Sequence, residues 1–515
     1  MKSFAKQLVL NTLSGWGSVL ARSALSFIMV PFLLRQLGQS GFGIVGLLMV
    51  LHSFAEVADL GLRQALSREL AEQAARHNHK GFNELASTGF LLCLLIGCTV
   101  ATACVILAPA LITFFNVPEP LRPMAIQAIR IYGTGAFMLS FASAAFPAAI
   151  ISVNRFDLRN HIEAGCRIVT GITLLVVLSN VENGLMGWVF VTLAGQGLTL
   201  LLYVAAAHKT TPWLQLSWKH VHRESAASLL HFGWKVYVLQ LTNLVAERSD
   251  PLVISRFFGP AGVALYTPGG QLAGLVRPIL LTLSAQLAPL ATRQHVENAL
   301  QKQQQMLIEG TRFTLLIGSL FCVGLLVFAD PFCALWLGNE LGTSYRTVAT
   351  VIQLWAVADF FACTASMQWP MMLGARKLNT MMIIHGTTAL LNICLSIYFV
   401  GFTTLGIIGA LLGTVLTNAV LRPLLVAYSL KVFQIPFIAF YRAAILRPML
   451  TTALLLPITY AIRHSMQVDG YFHLISCATL TGTVWIVLAA LIGVSRQERQ
   501  LFWSQISKHF ASQCS

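Results

Sequence analysis

The sequence predicts an all-α membrane protein with about fourteen transmembrane helices. Of its 515 residues, 56% are apolar and only 10% are charged, and the mean hydropathy is +0.72. An average soluble domain carries about 25% charged residues, so this chain has too few charges to cover a water-facing surface of its size. The abundance of apolar side chains equally excludes a disordered chain.

Long apolar runs define the predicted spans. A bilayer core about 30 Å thick requires roughly 20 predominantly apolar residues per helix. The runs are too long and too continuously apolar for the alternating strands of a membrane barrel. We place the spans at residues 10–33, 42–62, 85–111, 126–151, 162–180, 184–207, 229–258, 262–291, 312–336, 347–373, 379–400, 405–430, 443–463 and 471–494.

The basic residues predict the orientation of these spans. Lys and Arg concentrate in the cytoplasmic loops of membrane proteins. With the N-terminus inside, 23 of the 34 basic residues, Arg422 among them, fall on the cytoplasmic side. Only five fall on the outer side, and six lie within spans. We therefore predict that both termini are cytoplasmic, and that the net charge of +15 reflects topology and not nucleic-acid binding.

A weak internal repeat relates spans 1 and 7. Each begins with a Gly-Trp pair and ends with a proline followed by a Gly-x-x-Gly motif. The matching residues are Gly15-Trp16, Pro31, Gly38 and Gly41 in the first copy, and Gly233-Trp234, Pro251, Gly259 and Gly262 in the second. Transporters are often built from such repeats, with the substrate site at the interface between them. We predict two six-helix lobes, 1–208 and 209–432, with two further spans and a cytoplasmic tail in 433–515.

Three basic residues lie deep within predicted spans. They are Arg22 in span 1, Lys235 in span 7 and Arg277 in span 8. A charge in the hydrocarbon region is costly and usually faces a cavity or a partner. An anionic group such as a diphosphate would satisfy all three through charge-assisted hydrogen bonds. Two alternatives remain open: Arg22 pairs with an acid on a neighbouring span, and Lys235 extends to the inner interface.

Polar residues also recur at helical spacing, which places them on one face of each helix. The stripes are Asn11, Ser18 and Arg22 in span 1; His52, Glu56, Asp59 and Arg63 in span 2; and Gln240, Asn243, Glu247 and Asp250 in span 7. We predict that Asn11, Ser18, Gln240 and Asn243 line a cavity. We predict that Asp59, Glu247 or Asp250 carries a coupling proton or a counter-charge. The alternative is local neutralisation, by Arg63 for Asp59 and by Arg248 for Glu247 and Asp250.

Motifs of catalysis do not occur in the sequence. There is no GxxxxGK[ST] phosphate loop, no GxSxG nucleophile elbow and no HExxH pair. The His77/His79 and His220/His222 pairs lie in charged cytoplasmic loops, without the cysteines or acids that would complete a metal site. We therefore predict no enzymatic activity, no metal and no cofactor.

Several motifs together resemble a known family. They are Pro31–Gly38 with Phe42–Ile44, Ala58–Leu62 with Ala65–Arg68, Phe232–Trp234, Asp250–Gly259 and Val263–Tyr266. In this order and spacing they resemble Wzx-type polysaccharide-biosynthesis flippases, a branch of the superfamily that includes the multidrug and toxin extruders (MATE). One departure is Pro251, where many relatives carry a basic residue after the aspartate.

The resemblance implies a function. Such proteins move undecaprenyl-diphosphate-linked oligosaccharides, the repeat units of O-antigen, capsule or exopolysaccharide, across the bacterial inner membrane. They use alternating access between two lobes, driven by ion gradients. The implied partners are the lipid-linked oligosaccharide, membrane lipid, and a glycan polymerase and chain-length regulator of the same pathway. Two alternatives remain: a drug or metabolite antiporter of the same fold, and a non-transporting partner of glycan-assembly enzymes.

Overall fold

The first half of the chain forms nine helices in the part that the structure describes. A computed structural model describes residues 2–273, 299–375 and 377–494, and each regular element in these ranges is helical. The helices of the first range are α1 (Lys2–Val57), α2 (Leu62–Ala75), α3 (His79–Phe114), α4 (Arg122–Ala142), α5 (Ala145–Ser152), α6 (Phe156–Leu178), α7 (Gly184–Thr210), α8 (Arg223–Arg248) and α9 (Asp250–Ala273).

The later ranges contain six long helices and two short ones. They contain α10 (Leu300–Leu341), α11 (Tyr345–Cys363), α12 (Gln368–Gly374), α13 (Leu378–Phe402), α14 (Ile408–Val432), α15 (Phe437–Phe440), α16 (Leu446–Ser465) and α17 (Tyr471–Leu488). Short π-helical segments, Tyr441–Ile445 and Ala489–Gly493, lie before α16 and after α17.

Ten helical stretches among the described residues are long and apolar enough to cross a membrane. One of them, Leu300–Met372, contains predicted span 9 and all but the last residue of span 10, and Leu25–Val57 contains span 2 as far as Val57. Helices α8 and α9, at predicted span 7 and the start of span 8, are outside the ten stretches, and residues 274–291 of span 8 lie outside the described residues. The chain is a multi-pass membrane protein, while the number fourteen and the orientation of the termini stay predictions.

One predicted span is interrupted. The predicted span 229–258 is not one helix, because α8 ends at Arg248 and α9 begins at Asp250, on either side of Ser249. The segment between predicted spans 2 and 3 contains a helix. Residues Leu62–Ala75 form α2, which buries Leu62, Leu66 and Leu70 on one face.

The chain divides into two compact units, residues 1–267 and 268–515. In the first unit helix α2 packs on α3 and α5, and the core of this unit includes Leu66, Phe82 and Phe141. In the second unit α10 packs on α11, and one core cluster includes Leu307 and Phe440. The predicted lobe boundaries at 208 and 432 stay a prediction.

The segment between α7 and α8 is fixed to α3 by polar side chains. The Asn83 side-chain amide donates to the carbonyl of Trp213 at 2.9 Å and accepts from the amide of Gln215 at 3.0 Å. Ser87 and Thr88 accept from the amides of Ser217 and His222, at 3.1 Å in each case. These bonds satisfy main-chain groups that have no helix of their own, so the segment follows α3 closely.

Candidate functional site

A group of polar side chains meets where α1 ends and α2 begins. We call His52, Glu56, Asp59 and Arg63 the polar cluster. His52 Nε2 and Arg63 Nη1 lie 3.6 and 3.3 Å from the same Glu56 oxygen, Oε1. Arg63 Nε lies 3.7 Å from Asp59 Oδ2. The structure therefore brings together the whole stripe of span 2, and Arg63 pairs with both acids.

Asp59 is held by main-chain groups as well as by Arg63. Its carboxylate accepts the amides of Gly61 at 2.8 Å and Arg63 at 3.3 Å, and the residue is only 3% exposed. A carboxylate in this position also faces the positive end of the α2 dipole. Asp59 thus fixes the turn between α1 and α2, whereas Glu56 keeps 45% of its side chain exposed.

Helix α4 forms one wall of the polar cluster. Arg63 Nη2 donates to Ser140 Oγ at 2.8 Å, and its guanidinium lies 5.2 Å from the centre of the Phe141 ring. The His52 ring stacks on Phe137 with ring centres 5.5 Å apart. His52 Nδ1 is buried and has no hydrogen-bond partner among the described residues. The cluster therefore presents one accessible carboxylate between two basic groups.

The turn at the polar cluster touches α8 through two glycines. A Cβ on Gly61 would collide with the carbonyl of Gly233, and a Cβ on Gly233 would lie 2.5 Å from the carbonyl oxygen of Leu60. Gly61 also has φ +74°, in the left-handed region that favours glycine. Two motifs of the sequence resemblance, Ala58–Leu62 and Phe232–Trp234, are thus in main-chain contact.

Five predicted site residues lie on α8 or at the start of α9. Lys235, Gln240, Asn243 and Glu247 are on α8, where Gln240 and Asn243 are half-buried and Glu247 is exposed. Asp250 begins α9 and is 2% exposed. The hydroxyl of Tyr266 donates to Asp250 Oδ2 at 2.9 Å, so this aspartate joins two turns of the same bent helix.

For the remaining predicted site residues on span 1, the structure gives the helix in which they lie. Asn11, Ser18 and Arg22 all lie in α1, on the segment that precedes Gly38. Arg277 lies outside the described residues. The predicted three-cation diphosphate site therefore stays a prediction.

One basic residue forms a polar contact within a long apolar helix. Arg422, counted with the cytoplasmic residues, lies within the apolar stretch Ile408–Val432. Its Nε donates to Asn418 Oδ1 at 3.1 Å, and Asn418 Nδ2 donates to the carbonyl of Ala358 on α11 at 3.5 Å. The predicted span 405–430 already contains Arg422, so its place within a span follows from the sequence.

Comparison with known proteins identifies the family. The model of a family described as polysaccharide biosynthesis protein matches residues 32–346, which is more than half of the chain. The chain belongs to this family. A curated relative, the uncharacterized membrane protein EpsK of Bacillus subtilis (strain 168), is 22% identical over 492 residues, which cover 94% of this chain and 95% of EpsK. The resemblance found in the motifs is thereby confirmed for this polysaccharide biosynthesis protein.

Solved structures show which fold this polysaccharide biosynthesis protein adopts. It is similar to the lipid II flippase MurJ in an inward closed conformation, with a TM-score of 0.72 and 14% identity over 94% of this chain and 98% of MurJ. It is also similar to an inward-facing multidrug resistance MATE family transporter of the MOP superfamily, with a TM-score of 0.70 and 16% identity over 81% of this chain and 94% of the transporter. The predicted MATE-like fold is confirmed.

Proposed function

We propose that this protein is a flippase that moves undecaprenyl-diphosphate-linked oligosaccharides across a bacterial inner membrane by ion-coupled alternating access. The observation that carries the proposal is membership of a polysaccharide biosynthesis family combined with a fold similar to that of a lipid II flippase. A glycan polymerase and a chain-length regulator would act on the translocated product. The protein itself performs no covalent chemistry.

The diphosphate of the carrier would be bound by Arg22, Lys235 and Arg277. A diphosphate needs positive charge inside a cavity, and basic residues within apolar helices are costly without such a partner. Asn11, Ser18, Gln240 and Asn243 would offer hydrogen bonds to sugar hydroxyls. The half-buried state of Gln240 and Asn243 supports this role, since a lining residue is partly open to a cavity.

The coupling proton would be carried by an acid of the first unit. Asp59, Glu247 and Asp250 are the acids that the sequence predicts for this role. The geometry of the polar cluster adds Glu56, whose carboxylate is exposed and lies between His52 and Arg63. Protonation of Glu56 would remove its attraction to His52 and Arg63 and so change the net charge of the polar cluster.

The proposal is tested in a strain that lacks its own flippase for a matching glycan. Restored surface glycan, without accumulation of the lipid-linked precursor, supports the function. Arg22→Ala and Arg277→Ala should each abolish the restored glycan, and Arg76→Ala, on the exposed face of α2, should not. Normal glycan from both site variants at normal protein level would refute the diphosphate site.

The similarity to a MATE family transporter favours a second candidate, a drug or metabolite antiporter. Drug resistance on overexpression, without a glycan defect on deletion, would support this alternative. A third possibility is a non-transporting partner of glycan-assembly enzymes. Translocation of a lipid-linked oligosaccharide by the purified protein in liposomes would exclude it.

A further inference from the structure

A cavity of about 690 Å³ lies at the ends of α6 and α7, away from every predicted site residue. These ends are predicted to be cytoplasmic. Ala205 and Ala206 line the cavity from α7, and their short side chains leave the groove open. Further lining residues are Arg155, Leu158, Ile162, Leu202 and Lys209. We call this cavity the α6–α7 groove. Its walls are apolar, and its rim carries two basic residues.

The helices that form the groove expose apolar side chains along their length. Ile172 and Val176 of α6 are 55% and 60% exposed, and Leu201 of α7 is 68% exposed. In a multi-pass membrane protein, such surfaces adjoin the hydrocarbon of the bilayer. Leu202, which lines the groove itself, is 41% exposed and continues this surface. The apolar part of the groove is therefore accessible to an acyl chain.

The polar rim carries an excess of positive charge. Arg155 pairs with Asp157 at 3.0 Å, and Arg159 and Arg167 share Glu163 at 3.7 and 3.0 Å. Lys209 is exposed and forms no ion pair with an acid in the described part of the chain. Of the two basic residues on the rim, only Arg155 therefore has an acidic partner among the described residues.

We propose that the α6–α7 groove binds an anionic phospholipid of the inner leaflet. Its phosphate would lie between Lys209 and Arg155, and an acyl chain would lie against Leu158, Ile162 and Leu202. Basic residues near a membrane surface attract anionic headgroups. A zwitterionic lipid fits less well, because its own cation opposes Lys209. A soluble phosphate would leave the apolar wall without a partner.

The lipid site is independent of the proposed flippase function and is tested by native mass spectrometry of the purified full chain. Phosphatidylglycerol and phosphatidylcholine with identical acyl chains are added in turn, and glycerol phosphate serves as the soluble headgroup. Retention of phosphatidylglycerol above phosphatidylcholine, without retention of glycerol phosphate, is the expected result for the wild type. Equal retention of the two lipids would overturn the proposal.

Two variants locate the bound lipid. Lys209→Gln should weaken phosphatidylglycerol binding about fivefold, the effect of one basic residue near an anionic headgroup. Ala205→Leu should reduce binding of the lipid by filling the groove while it leaves both cations in place. The control Lys80→Gln removes a lysine that is 87% exposed at the start of α3, and should bind as the wild type does. If Lys209→Gln does not fold, Ala205→Leu alone tests the site. Retention of phosphatidylglycerol by Ala205→Leu at the wild-type level would refute the site.

Discussion

Gly38 and Gly259 adopt the same rare backbone conformation. Gly38 has φ +66° and ψ 173°, and Gly259 has φ +64° and ψ −170°. This region of backbone space is essentially restricted to glycine. The two residues occupy matching positions of the weak sequence repeat, and each one bends a long helix. The repeat therefore marks two equivalent bends, one in α1 and one in α9.

Alanine at either bend should destabilise the protein. The strain of a side chain in this conformation costs about 1–3 kcal/mol. A Cβ on Gly38 would meet no atom within 4 Å, so Gly38→Ala tests the strain alone. A Cβ on Gly259 would also lie 3.0 Å from the carbonyl oxygen of Asn116, so Gly259→Ala should lower the Tm further.

The matched control for the bends is Gly165→Ala in α6. Gly165 has open space around its Cβ position and a helical φ, so alanine there should leave the Tm unchanged or raise it slightly. Thermal unfolding in detergent compares the three variants. Equal Tm values for Gly38→Ala and Gly165→Ala would contradict the assigned conformation.

The second prediction concerns the main-chain contact between the α1–α2 turn and α8. Gly233→Ala adds a methyl group 2.5 Å from the Leu60 carbonyl oxygen without any strained φ at residue 233. Overpacking of this kind costs typically 1–3 kcal/mol, and transport should fall because the motif is displaced. Gly197→Ala in α7, where nothing lies within 4 Å, is the control for Tm and for surface glycan. Full activity of Gly233→Ala would show that this close approach is dispensable.

Local periodicity explains what the sequence could predict. His52 and Glu56 meet because residues four apart share a helix face. Arg63 lies on the next helix, and the turn at residues 58–61 brings it back to Glu56, so periodicity alone does not explain this contact. The approach of Gly61 to Gly233 depends on the packing of separate helices, and no pattern in one sequence specifies it. Arg422 lies inside the predicted span 405–430, and its partner Asn418 is four residues away on the same helix, a spacing that the sequence already contains.

The third prediction concerns Arg63 at the centre of the polar cluster. Arg63→Ala removes the partner of Glu56 and Asp59 and the donor to Ser140, so it should strongly reduce stability. Loss of one partner of a buried ion pair costs about 3–5 kcal/mol, and the value here should be smaller because Arg63 is 29% exposed. Arg63→Lys keeps the charge without the planar fork and should fall between Arg63→Ala and the wild type. Arg76→Ala, which breaks an exposed pair with Glu72, should change the Tm little.

The fourth prediction separates coupling from stability within the same cluster. Glu56→Gln keeps the size of the side chain and removes its charge and its proton chemistry. We expect near-normal Tm, because Glu56 is 45% exposed, together with reduced ion-driven transport in liposomes. Glu72→Gln, on the exposed side of α2, is the control. Unchanged dependence of transport on the ion gradient in Glu56→Gln would exclude this acid as the coupling group.

The fifth prediction tests the attachment of the α7–α8 segment to α3. Asn83→Ala removes both bonds to the main chain of Trp213 and Gln215, which are partly buried. An unsatisfied buried group costs about 1–3 kcal/mol and a partly buried one less, so residues 211–222 should separate locally and be cut faster by a protease. Asn83→Asp keeps the acceptor for Gln215 and should show an intermediate rate. Asn180→Ala is the control, because the Asn180 side chain, just after the end of α6, bonds only to the nearby carbonyl of Val176 among the contacts described. Equal cleavage of Asn83→Ala and Asn180→Ala would mean that packing of Trp213 against His79 and Phe82 suffices to hold the segment.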